Sequence, residues 1–160
     1  MFKTEQGNST EKNYQFMLDS AKAFFEGETD FIAILANLSA LIKLYVADLN
    51  WAGFYLMKGT VLVLGPFQGL PACVRITEGK GVCGTAALTG KPILVSDVHK
   101  FPGHIACDSA SVSELVVPFF KAGKVYGVLD LDSPLPGRFT EAEAKYMGQI
   151  AELITAFLDR

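Results

Sequence analysis

The sequence lacks what would send it to a membrane or a nucleic acid. No uncharged apolar run is long enough to cross a bilayer. The first twenty residues are polar and broken by charges, without the apolar stretch of a secretion signal. Basic residues are few and scattered. The 14 Lys and Arg against 17 Asp and Glu leave a net charge of −3, so no basic surface for nucleic acid is expected. Internal repeats and low-complexity tracts are absent. There are only three cysteines, an odd number, which argues against a structural disulfide framework. Together these absences describe a cytoplasmic protein with no membrane partner, in which any disulfide is transient and chemical.

What is present suits one compact domain. The chain has 160 residues, half of them apolar and 19% charged. That is enough for one hydrophobic core and too apolar for disorder. Residues 1–10 read as a flexible N-terminus, and 11–160 as the single domain.

Tyr14, Met17, Leu18, Ala21, Phe24 and Phe25 recur at helical spacing and stop at Gly27. A stronger amphipathic helix runs from Phe31 to Val46, with Thr29 or Asp30 as its cap. Trp51 to Met57 then reads as a strand. Lys58-Gly59 is a turn, and Thr60 to Leu64 is the hairpin partner, broken by Pro66 and Gly69. Ala72 to Ile76 is a short strand, Gly79 to Gly90 a glycine-rich turn and helix, and Pro92 to Val95 a brief strand.

Residues 96–113 are polar and aperiodic. A loop this long inside a compact domain carries function more often than not. Glu114–Phe120 and Lys124–Asp132 form a hairpin about Ala122-Gly123. Thr140 and Glu143 spell a capping box for the last helix. The order implies an α+β fold. A central antiparallel sheet carries the N- and C-terminal helices on one face and a loop-covered pocket on the other.

Several residues could carry chemistry. Asp130 and Asp132 lie two apart on a strand and share a face. Beside a core, two such carboxyls resist double ionisation, so one should hold a proton as a general acid does. Glu114 opens the partner strand and could join them. The alternative is that the strand has ended and the acids are solvated.

Cys83 stands at a helix start, where the dipole favours a thiolate. Cys107 sits in the long loop near His104, and Cys73 in a short strand. Spacing does not rank Cys83 against Cys107 as nucleophile. A zinc set drawn from Cys73, Cys83, Cys107, His99 and His104 lacks paired-cysteine or finger spacing, so no metal or cofactor is expected. Gly79 to Gly84 matches G-x-G-x-x-G. The Rossmann context is missing, however, and a tight turn before a helix explains it. Trp51 and Tyr55 share a face, either as an aromatic wall for a methyl group or cationic amine, or as ordinary core aromatics.

Five strings go further: Asn50-Trp51-Ala52-Gly53-Phe54-Tyr55, Leu64-Gly65-Pro66-Phe67-Gln68-Gly69, Gly81-Val82-Cys83-Gly84-Thr85, Gly103-His104-Ile105-Ala106-Cys107-Asp108 and Gly127-Val128-Leu129-Asp130-Leu131-Asp132-Ser133. Together they closely resemble the free methionine-R-sulfoxide reductase family, single-domain GAF proteins, over roughly residues 20–160. The resemblance implies Cys107 as the catalytic cysteine, Cys73 as the resolving one and Cys83 as an alternative resolving thiol. It implies that Trp51 and Tyr55 line the substrate pocket, and that Glu114, Asp130 and Asp132 bind the substrate amine and handle the proton. The implied partners are free methionine-R-sulfoxide and thioredoxin as reductant. The long amphipathic helices are compatible with a homodimer, which nothing in the sequence demands. Two other readings share the fold: a non-catalytic GAF module binding a small ligand to regulate a partner, and a thiol redox sensor without a substrate.

Overall fold

The computed structural model describes residue 3 and residues 7–160. Of the flexible N-terminus expected from the sequence, residues 1, 2 and 4–6 lie outside the described residues.

Helix α1 (Thr10–Phe24) starts at Ser9, whose hydroxyl accepts from the Lys12 amide. Helix α2 (Phe31–Tyr45) starts at Asp30, which accepts from the Ala33 amide at 2.8 Å. Strands β1 (Trp51–Lys58) and β2 (Val61–Gln68) form a hairpin. Then come β3 (Arg75–Thr77), α3 (Gly81–Thr89), β4 (Ile93–Val95), β5 (Ser113–Lys121), β6 (Lys124–Ser133) and α4 (Glu141–Leu158). The β5–β6 turn uses Ala122 and Gly123, both at positive φ (48° and 74°). That is the backbone which matches the twist of a two-residue hairpin. The capping box of α4 is formed, with both of its reciprocal bonds made.

The six strands make one antiparallel sheet in the order β3-β2-β1-β6-β5-β4. Alternation along the strands sorts the side chains into two cores. One face presents Ala52, Phe54, Leu115, Val117, Phe119, Leu129 and Leu131 to α1, α2 and α4. The opposite face presents Trp51, Tyr55, Val116 and Val128, and packs against α3 and the loop before β5. The short helix thus joins the long loop on the pocket face, which the sequence order alone left to the loop. A single 3₁₀ turn, Val98–Lys100, lies within that loop.

Two strands depart from expectation. β2 runs on through Pro66 instead of ending at Leu64. β3 pairs with Val61–Val63, and the Leu64 amide donates to the Val74 carbonyl at 3.0 Å; a register shift between Gly53 and Tyr55 then falls opposite Gly65-Pro66, past the β3 pairing. A bulge on a one-sided stretch tolerates proline's missing donor. The third strand begins at Arg75 rather than Ala72, which leaves Cys73 in an irregular connection.

No helix among the described residues is long and apolar enough to cross a membrane.

Candidate active site

The pocket face is polar where three strands meet at one end. Register places Trp51 opposite Asp132, Gly53 opposite Asp130, Asp130 opposite Val116 and Asp132 opposite Glu114. Three carboxyls from two neighbouring strands therefore converge. β6 continues to Ser133, so the acids are not at a solvated strand end. Glu114 and Asp130 are buried, at 6% and 5% exposure.

Cys83, on the first turn of α3, faces them with its Sγ 3.7 Å from Glu114 Oε1. The aromatic wall stands beside the acids. Trp51 stacks between Tyr55, with centroids 5.8 Å apart, and Phe67 at 5.3 Å. Gly53 makes this stacking possible, since a Cβ there would lie 2.8 Å from the Trp51 ring.

The roof of the pocket is covalent. Cys107, from the long loop, is disulfide-bonded to Cys73, with Cα atoms 5.3 Å apart. The Tyr55 hydroxyl donates to the Cys73 carbonyl at 3.0 Å, tying the roof to the wall. Cys83 is the free cysteine. Seven of the eight residues singled out from the sequence line the cavity, and Cys73, the eighth, is bonded to one of them. In this disulfide-closed state the open space is about 30 Å³, room for one or two waters.

Burial sets the protonation of the cluster. It raises Glu114 well above the ordinary carboxylate range, and the charges of Asp130 and Asp132 push it further. Asp132 is raised by burial and by Asp130, with a Ser111 hydrogen bond opposing. Asp130 is raised to about 6 by burial, while hydrogen bonds with Glu114 and Cys83 pull it down. Carboxyls packed this closely resist ionising together, and all three are shifted toward the protonated form. Burial, reinforced by Asp130, Glu114 and Asp132, also pushes the Cys83 thiol well up. Burial beside acids therefore opposes the thiolate that the helix start favours.

Three buried polar atoms of cavity-lining residues have no partner: Trp51 Nε1, His104 Nδ1 and Asp130 Oδ1. Such atoms cost free energy unless something polar meets them there.

Comparisons with known proteins give the family. The GAF domain family matches residues 27–158. An Escherichia coli protein called free methionine-R-sulfoxide reductase is 52% identical over 80% of this chain and 78% of its own. This chain belongs to the free methionine-R-sulfoxide reductase family. Two solved structures support the assignment in three dimensions. The Neisseria meningitidis free methionine-R-sulfoxide reductase, in complex with its substrate, superposes with a TM-score of 0.92 at 40% identity, covering 97% of this chain and 93% of that one. A Staphylococcus aureus protein described as fRMsr, in reduced form, gives 0.88 at 45% identity over 99% of each chain.

Within this family member, sequence reasoning missed a latch. The Asn50 side-chain amide donates to Asp108 Oδ2 at 2.9 Å and to Ser111 Oγ at 3.0 Å. It thereby fastens the roof loop to the strand that carries Trp51. The bonded residues are 58 and 61 positions away, so no local pattern exposes them. The zinc set weighed from the sequence is not assembled, because Cys73 and Cys107 are bonded to each other.

Proposed function

We propose that this protein reduces free methionine-R-sulfoxide to methionine at the pocket of Cys107, Cys73, Glu114, Asp130 and Asp132. The observation that carries the reading is the Cys73–Cys107 disulfide roofing a cavity with an aromatic wall and a cluster of three carboxyls, two of them buried. The family membership and the substrate named for the Neisseria relative support it.

The proposed chemistry follows from the groups present. A neutral carboxyl of Glu114 or Asp132 protonates the sulfoxide oxygen and makes the sulfur electrophilic. The Cys107 thiolate attacks that sulfur, the hydroxyl passes from the substrate sulfur to Cys107 as the substrate S–O bond and the transient sulfur–sulfur bond break, and methionine leaves with Cys107 as a sulfenic acid. The Cys73 thiol then attacks the Cys107 sulfur, forming the disulfide and releasing water. A dithiol donor returns two electrons by exchange. Thioredoxin is the proposed donor, which places the enzyme in the reducing cytoplasm.

Cys83 stays out of this cycle: its sulfur lies 3.7 Å from Glu114 Oε1, and burial pushes its thiol well up. Ionised Asp130 faces the substrate ammonium, a group that methionine inside a peptide does not offer. Trp51 and Tyr55 enclose the thioether methyl. A closed cavity of about 30 Å³ is too small for an amino acid. Substrate therefore enters the dithiol state, with the loop over residues 96–113 swung away.

The test is a coupled assay of NADPH consumption with thioredoxin, thioredoxin reductase and free methionine-R-sulfoxide. Turnover that disappears in Cys107→Ser is expected. Ligand binding without turnover would instead favour a non-catalytic GAF module, and equal activity on a sulfoxide-containing peptide would remove the free amino acid as the preferred substrate.

A further inference from the structure

Cys83, Glu114 and Asp130 pose a problem that the redox cycle leaves open. The thiol takes no part in the disulfide. One donor atom from each of the three residues can be chosen so that all lie within 4.8 Å of one another, and all three residues are buried. Asp132 lines the same cavity. Four acidic groups thus share one space, and among the described residues none of their carboxylates is in an ion pair. Lys80 is at the cavity wall but is itself exposed. Asp130 Oδ1, in a residue 5% exposed, has no partner at all.

We propose that Cys83, Glu114 and Asp130 form a binding site for a thiophilic divalent cation of the zinc class, completed by Asp132 or water. The geometry suits it. A tetrahedral ion with metal–sulfur and metal–oxygen bonds of about 2.3 and 2.1 Å sets those donors roughly 3.6 Å apart. Cys83 Sγ and Glu114 Oε1 are separated by 3.7 Å. Asp130 supplies the third donor: its Oδ1 has no partner, and its existing hydrogen bonds are to Glu114 and Cys83, the other two ligands. The thiolate selects zinc-like ions over magnesium or calcium, which take oxygen ligands only.

Size points the same way. The disulfide-closed cavity holds water-sized bodies and excludes an amino acid. An ion therefore binds the oxidised protein, where substrate does not. Binding displaces the protons of the Cys83 thiol and the Glu114 carboxyl into solution, so affinity rises with pH. An ion held here also occupies the carboxylates proposed above for the substrate amine.

The experiment uses the full chain with the Cys73–Cys107 disulfide intact, so that Cys83 is the only thiol. Co²⁺ is titrated in and then displaced by Zn²⁺. The expected result is one ion per chain and a thiolate-to-cobalt absorption in the near ultraviolet, lost on adding Zn²⁺ and weaker at lower pH. In Cys83→Ser, checked for fold by circular dichroism, the band disappears. Zinc affinity there falls by at least the roughly 10- to 100-fold that loss of a supporting partner alone can cost. Glu114→Gln keeps the band but weakens binding. Absence of the band, unchanged affinity in Cys83→Ser, or displacement of cobalt by Mg²⁺ as readily as by Zn²⁺ would each overturn the site. The assay contains neither substrate nor reductant, so its outcome is independent of whether the reductase reading stands.

Discussion

Both faces of the sheet bury acids, and they treat them in opposite ways. On the helical face, Glu143 accepts from Tyr14 Oη at 2.7 Å, Arg138 Nη1 at 3.0 Å, and the Thr140 amide and hydroxyl at 2.7 and 2.6 Å. Burial alone would raise its carboxyl, but these bonds from Thr140, Tyr14 and Arg138 hold it at about 2. On the pocket face, Glu114, Asp130 and Asp132 are raised by burial and by each other, and Asp130 Oδ1 and Trp51 Nε1 lack partners. The first arrangement is a finished network that ties α1 to the start of α4. The second is unfinished within the protein. A satisfied buried acid reads as structure, and an unsatisfied cluster in a cavity reads as a site.

Substitutions should therefore separate cleanly by face. The largest expected effect is on the pocket side. Glu114→Gln lowers kcat by roughly 10²- to 10⁴-fold, the usual worth of a positioned acid. It leaves the unfolding midpoint unchanged or higher, because a costly buried acid is removed. A variant that lost stability and kept activity would break the comparison.

On the helical face, Leu38 is fully buried. Leu38→Ala should cost about 2–5 kcal/mol in denaturant unfolding and leave the kinetics per folded molecule intact. Glu143→Gln should cost roughly 2–4 kcal/mol at neutral pH. That range follows from a carboxyl moved from 4.5 to about 2. The sign is that of a depressed acid: the stabilisation is full above 4.5 and fades as pH falls through about 2, so the variant and its parent converge in acid. The pocket acids carry the reverse sign. They favour the folded state while protonated, at pH below their ordinary values. For Asp130 that contribution is lost as pH rises through about 6, so Asp130→Asn should flatten the stability–pH curve near there. The smallest effect is at the latch. Asn50→Ala should cost about 1 kcal/mol and speed hydrogen exchange over residues 107–112 more than elsewhere.

The sequence made these two faces unequally legible. The long helices were plain in the 3.6-residue spacing of residues such as Ile34, Leu38 and Ile42, and α4 in its capping box, because those signals are local. The shared face of Asp130 and Asp132 followed from strand alternation alone. β2 was cut short at Leu64 because Pro66 is a strand breaker by default. Only the pairing map shows that β3 has already left its side. The Cys83 thiol was read from its helix start, while it is pushed up by burial, reinforced by Asp130 and Glu114 brought in by other strands. The Asn50 latch and the Tyr14–Glu143 bond, 129 residues apart, carry no local pattern at all.

The central claim is that the pocket face does its chemistry through Cys107 and Cys73, with Cys83 apart. Fully reduced protein, mixed with one equivalent of free methionine-R-sulfoxide and no reductant, tests it directly by peptide mapping after one turnover. The account predicts one methionine released per chain, a Cys73–Cys107 cross-link, and a Cys83 thiol that alkylates on denaturation. A cross-link from Cys107 to Cys83, or methionine formed with all three thiols still free, would contradict it.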